Sequence, residues 1–375
     1  MRIPRKQKRP LIPGYIAGEA LAEQKALSSK THFEVMDGLR GIAALAVVTF
    51  HTFLNGGPLP NGQLAVDLFF LLSGFVIAYS YDERLCLSMP IRDFMVRRLI
   101  RLYPMVFVGA LGGILIALIH NKTNHVDAYP VRSIAYSGGL SLFVLPYLGN
   151  AINERAFSFN PPLWSLFFEL VANVVYAVFA RRLSIFVLVA IVISGLTGIV
   201  LGGPLGGGAK ETILLGFPRV ACGFFGGVLL FRLWKSGWLP KINGNFLILS
   251  AALVAIFGIP TLIGGSAFLP VYAIFLAIMI CAIGARRSRF DKYCALLGQL
   301  SYPIYLIHWL TLYVFAWLGG KIGLAGPNYP ILAAIHFCCV PFMAYFVARF
   351  YETPVRLFLT TRFKTWKSRD HIVPA

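Results

Sequence analysis

Long apolar runs, separated by short polar clusters, set the rhythm of this chain. A helix needs roughly 20 mostly apolar residues to cross the hydrocarbon of a bilayer. Runs of about that size predict helices near 39–55, 64–80, 103–119, 163–180, 184–201, 213–233, 246–263, 268–285, 298–318 and 330–350. One more run, near 136–148, is short and is broken by Gly138, Gly139 and Pro146. The stretch 91–102 has the pattern of an interfacial amphipathic helix leading into the third span. The fold class expected is an all-α integral membrane protein with about ten transmembrane helices.

Charge decides whether 136–148 crosses. If it does not, the basic clusters around Arg97–Arg98, Arg181–Arg182, Arg232–Lys235, Arg286–Arg289 and Arg356–Arg369 all fall on one side. The positive-inside rule then puts that side, and both termini, in the cytoplasm. A crossing at 136–148 would place every later cluster on the wrong face, so this segment is expected to be re-entrant or peripheral. The domains expected are a basic cytoplasmic tail at 1–30, a transmembrane domain at 31–356 and a second basic cytoplasmic tail at 357–375. The first segment is too long for the n-region of a signal peptide, and the first apolar run carries Arg40 and His51.

Composition narrows the class further. With 58% hydrophobic and only 13% charged residues, a soluble domain could not cover its surface. Lys and Arg number 34 against 15 Asp and Glu. In a soluble protein that excess would suggest nucleic acid; here loop topology accounts for it, and the partner it implies is membrane lipid. The cysteines form no CxxC pair and show no zinc-like spacing with histidine, so no metal is expected.

Ionisable residues inside spans are costly and therefore mark function. Arg40 and His51 lie close to three helical turns apart, on one face of the first span, with roughly 16 Å between them along the axis. His51 and Asp67 flank the same short loop, and Glu169 and Arg219 enter their spans from that side. These groups are expected at one depth, with a carboxylate beside His51 to fix its tautomer for base chemistry. At the other depth Arg40, Arg97, Arg98 and Arg101 suit bidentate phosphate contacts. In the ninth span Tyr302, Tyr305 and His308 fall on one face and are expected to line the site. The plainer alternative for each is a polar residue satisfied by a neighbouring helix or a headgroup; His336, alone in the last span, is assigned to that structural class.

Five segments in order then resemble the acyltransferase-3 family of membrane acyltransferases: MDGLRGIAAL running on to His51, VDLFFLLSGFVI, VRRLIRLYP, PPLWSLFFE and LGQLSYPIYLIHW, with YETPVR at 351–356. The resemblance implies acyl-CoA as donor substrate, with acetyl-CoA foremost, no bound cofactor, and a hydroxyl of a carbohydrate or glycolipid as acceptor. It implies a multi-pass protein of the bacterial inner membrane. Arg40 and His51 match the family's Arg-x10-His signature, Arg98 and Arg101 its inner arginines, and Glu169 the first acid of a WSLSVEEQFY-like segment. Leu170 and Val171 replace the second acid and the glutamine of that segment. The assignment is therefore His51, Glu169 and Asp67 to catalysis, and Arg40, Arg98 and Arg101 to the donor. A secondary transporter for an anionic or sugar-linked solute is the rival reading, because charged residues in mid-membrane are at home there too.

Overall fold

A computed structural model describes residues 33–53, 56–122, 129–150, 152–203, 205–260, 264–324 and 329–370. The tail expected at 1–30 lies outside them. Among the described residues the chain is helical, apart from an isolated bridge between Arg155 and Ala209. Twelve α-helices follow one another. They are α1 (Glu34–Thr52), α2 (Ala65–Leu87), α3 (Ile91–Lys122), α4 (Val131–Leu142), α5 (Leu163–Phe179) and α6 (Ile185–Gly202). Then come α7 (Gly216–Lys235), α8 (Phe246–Gly258), α9 (Phe268–Ile283), α10 (Asp291–Lys321), α11 (Tyr329–Val347) and, after a π-turn at Ala348–Glu352, α12 (Thr353–Asp370).

A helix therefore lies on each of the ten apolar runs. Seven helical stretches, those containing α2, α3, α6, α7, α9, α10 and α11, are long and apolar enough to cross a membrane. The apolar α5 and α8 are shorter, and α1 carries Glu34, Asp37 and Arg40 in its first turns. This is a multi-pass membrane protein. The stretch 91–102 leads into the third span without a break, as the first turns of the 32-residue α3, which continues through Pro104. Its polar face is covered by α12, where Lys367 pairs with Asp93 and the rings of Trp366 and Phe363 lie under the Arg92 and Arg97 guanidiniums.

Chain direction follows from which residues meet. Arg40 reaches Ser301 while His51 reaches His308, so α1 and α10 run parallel. Asp67 meets Arg219 and Glu83 meets Lys235, so α2 and α7 run parallel. Ser73 meets Glu169 and Asp82 meets Tyr176, which makes α5 parallel to both. Between α3 and α5, the 12-residue α4 spans only about 18 Å. It packs back on the end of α3, with Ile134 in a cluster with Ala117, Tyr147, Ile152 and Phe159.

Glycine lets α2 and α7 approach backbone to backbone. A Cβ on Gly74 would sit 1.8 Å from the Phe224 carbonyl oxygen, and one on Gly227 would sit 2.1 Å from that of Leu71. Without bulk in the seam the helices gain dispersion contacts, which is what holds helices together in lipid. Gly74→Ala should therefore lower the thermal midpoint in detergent, at an overpacking cost of about 1–3 kcal/mol. Gly139→Ala should leave the midpoint unchanged, since nothing lies within 4 Å of a Cβ there.

Candidate active site

The site is built along the seam of α1 and α10. At one end, Arg40 donates to Ser301 Oγ at 3.1 Å and to the Gly298 carbonyl at 3.3 Å, and pairs with Asp37 one turn before it. Arg98 and Arg101 enter from α3. Arg98 pairs with Glu169 at 2.7 Å, and Arg101 pairs with the buried Glu352 of the π-turn. Ser73 also donates to Glu169, at 2.7 Å. All three arginines and Glu169 line one cavity of about 180 Å³ with Ser165, Ser301, Tyr302 and Tyr305. Tyr302 is fixed by donating to the Leu102 carbonyl at 2.6 Å, and Tyr305 lies 2.8 Å from Ser165 Oγ. Arg97 is turned away, toward Phe363.

One further turn along α10, imidazoles replace guanidiniums. His308 Nδ1 lies 2.7 Å from the Tyr305 carbonyl and 3.3 Å from that of Ile304. A carbonyl only accepts, so Nδ1 carries the proton of the neutral ring. His308 Nε2 is then a bare lone pair, and it faces His51 Nδ1 at 3.2 Å. The bond forms only if His51 Nδ1 holds the proton, which leaves His51 Nε2 unprotonated. His51 is thereby set in the tautomer of a base, with Nε2 the unprotonated nitrogen.

This corrects the expected outer cluster. Among the described residues no carboxylate partners His51; its neighbours include the Val47 backbone, His308, Phe50 and the Trp309 ring, whose centroid is 4.9 Å away. Asp67 is occupied by Arg219, which donates to both of its oxygens at 2.9 and 2.7 Å and also stacks on Trp164. That pair is almost fully buried between α2 and α7 and lines neither large cavity beside His51. Glu169 is not level with His51 but shares a cavity with Arg40, Arg98 and Arg101. The physical reason is the segment before α5. Residues 156–160 are buried, and Asn160 donates to the Leu306 carbonyl inside the bundle, so α5 begins at depth and carries Glu169 deeper than a count from the loop suggests. His336 has the structural role expected. Its nitrogens bridge Thr52 at 2.8 Å and Thr311 at 2.9 Å, tying α11 across the α1–α10 seam.

Beyond His51 lies a second cavity of about 560 Å³, between α3, the loop at 152–159 and α10. Trp309 and Arg155 line it, and the Arg155 guanidinium stacks 4.5 Å over the Trp309 ring. Sequence reasoning passed over Trp309 and Arg155, although Trp309 directly follows His308 in a quoted segment.

The order of groups, arginines then tyrosines then paired imidazoles, follows the segments that suggested a family, and comparison with known proteins agrees. An acyltransferase domain profile matches residues 33–349. The chain belongs to the acyltransferase-3 family. This acyltransferase is 34% identical over 165 residues to "Protein 2 in picA locus" of Rhizobium radiobacter, covering 41% of this chain and 86% of that protein. It is 32% identical over 158 residues to a Bacillus subtilis protein provisionally named peptidoglycan O-acetyltransferase YrhL, covering 38% of this chain and 23% of the other. A provisionally named Staphylococcus aureus O-acetyltransferase is 31% identical over 144 residues, covering 36% of this chain and 22% of the other. The chain thus matches under a quarter of the length of those two relatives. No solved structure matches it. The protein is an enzyme that transfers acyl groups.

If His308 sets the tautomer of His51, His308→Ala should cut acyl transfer by about tenfold or more. His308→Gln, which keeps an acceptor near the position of Nε2, should recover part of the loss. Equal rates for wild type and His308→Ala would reduce the imidazole pair to packing.

Proposed function

We propose that the enzyme moves an acyl group, in the first place acetyl, from acyl-CoA to a hydroxyl of a carbohydrate-type acceptor. The observation that carries this reading is the His51–His308 pair, which touches Tyr305 of the arginine-lined cavity on one side and Trp309 of a second, polar cavity on the other. CoA presents phosphates, and Arg40, Arg98 and Arg101 offer planar donors for them in a low-dielectric setting. Each arginine is already held by an acid, so the donor meets an arranged cluster rather than mobile side chains. The thioester extends past Tyr302 and Tyr305 toward His51. His51 Nε2 takes the proton of the acceptor hydroxyl as its oxygen attacks the thioester carbonyl. Collapse of the tetrahedral intermediate breaks the C–S bond, and the proton passes from His51 to the departing CoA thiolate. Glu169, beside Arg98 and Ser73, orients the donor arginine; Asp67, with Arg219, fixes α2 on α7. These roles replace the direct part in catalysis first expected of the two carboxylates.

In the same reading the chain has ten crossings in a bacterial inner membrane, with both termini and the Arg40 end facing the cytoplasm. The parallel pairs support it, because α1 with α10 and α2 with α5 and α7 run in common directions only if α4 makes no crossing. Acyl-CoA then enters from the cytoplasm, and the acceptor, a surface or exported glycan or glycolipid, meets His51 from outside.

Two experiments test the reading. Arg40→Ala should weaken acyl-CoA binding in detergent by on the order of 10- to 100-fold, the worth of one charge-assisted contact. His51→Ala should bind the donor normally while transfer falls by about 10²–10⁴-fold. Normal donor binding by Arg40→Ala would return the arginines to headgroup anchoring, and an acyl group trapped on His51 would make that residue a carrier rather than a base. Reporter fusions near Arg181–Arg182 and at the C-terminus should both give cytoplasmic signals; periplasmic signals at both would mean that the α4 region crosses.

A further inference from the structure

The cavity on the far side of His51 contains more than an open path for a hydroxyl. Its wall toward α10 is aromatic, formed by Trp309 and Tyr313, whose rings meet edge to face with centroids 6.0 Å apart. The facing wall is the loop carrying Asn153, Glu154, Arg155 and Ser158. That loop is rigid by construction. Asn153 Oδ1 accepts from the Arg155 amide at 3.1 Å, Ser158 Oγ donates to the Arg155 carbonyl at 3.1 Å, and the Ala156 and Lys210 amides tie it to the neighbouring loop at 3.0 and 2.9 Å. The indole N–H of Trp309 is buried, with no hydrogen-bond partner among the described residues, so the platform offered to the cavity is the ring itself.

Charge adds specificity to shape. Glu154 lines the cavity too, and its charge acts on Lys210 of the neighbouring loop, opposing the lowering of the Lys210 pKa by burial. Arg155 has no carboxylate partner among the described residues; its guanidinium rests on the Trp309 ring with its donor edges free. Trp309 is also the ring that touches His51. A cation held in this way, next to the base and over an aromatic platform, fits an anionic substituent on a ring whose hydroxyl is presented to Nε2.

We infer that this cavity is the acceptor site and that the enzyme prefers a hydroxyl-rich acceptor carrying a carboxylate or phosphate, which Arg155 binds while the sugar ring stacks against Trp309 and Tyr313. The inference rests on the acyl-transfer reading for its meaning but is measurable without the donor. Paired probes that differ only in charge are suitable: N-acetylmuramic acid against N-acetylglucosamine, galacturonic acid against galactose, and galactose 6-phosphate against galactose. Saturation-transfer NMR on the purified full chain reads binding in the absence of donor, and label from acetyl-CoA reads transfer. At least one acidic probe should bind more tightly than its neutral partner by on the order of 10- to 100-fold. The carboxylate and phosphate arms identify which anion is preferred. Arg155→Gln should erase the preference by weakening the acid alone, Arg155→Lys should keep part of it, and the KM for acetyl-CoA should not move. Equal binding of acid and neutral sugar, no binding of any probe at millimolar concentration, or an Arg155→Gln loss shared by both members of a pair would overturn the inference. Arg155-dependent binding without transfer of label would uphold the anion site and overturn the acyl-transfer reading instead.

Discussion

The parallel contact of α1 with α10 is the constraint on which the rest of the site depends. It is close because glycines line it: a Cβ on Gly41 would lie 2.4 Å from Leu297, and one on Gly298 would lie 2.5 Å from Asp37. In hydrocarbon, such close approach supplies the dispersion energy that the hydrophobic effect supplies in water. Two parallel helices also keep the same order of residues along their shared seam. Arg40 thus meets Ser301, and His51 meets His308, with helix rise and the reach of the long Arg40 side chain together setting the distance between the two stations. The separation of the Arg40 station from the His51 station is in this sense a property of helix geometry.

Charge compensation shapes the site as strongly. A charged side chain in the bundle must find a partner inside protein. Arg98 does so with Glu169, Arg101 with Glu352, Arg219 with Asp67 and Arg232 with Asp82. Two of these pairs, at Asp67 and Asp82, join α7 to α2. They act as fixed registers, since breaking a buried pair leaves an uncompensated charge at a cost of about 3–5 kcal/mol. The other two hold arginines at the wall of a cavity large enough for part of a ligand. Their carboxylates keep the guanidiniums in place without closing the fork of donors to an arriving anion.

The imidazole pair shows how a histidine can be oriented where a carboxylate would be expensive. Carbonyls of α10 fix the proton on His308, and His308 in turn fixes it on His51. No net charge is buried in that relay. A carboxylate at the same place would be a further anion to desolvate.

The amino-acid sequence by itself determined that the chain is a membrane-spanning helical protein, because apolar runs of bilayer length have no other stable state. It also determined that Arg40 and His51 share a helix face and that arginines gather at one end, since helical periodicity is local. Depth in the bundle was legible only as far as each helix starts at the membrane surface. That holds for α1 and fails for α5, whose preceding segment is buried, so Glu169 sits with the arginines rather than with His51. Which acid serves which base, and that His51 is served by His308 instead, was decided only in the tertiary structure. Partner choice between helices depends on rotation about each helix axis, and many rotations satisfy the same apolar pattern; packing of the glycine seams and pairing of the buried charges select one of them.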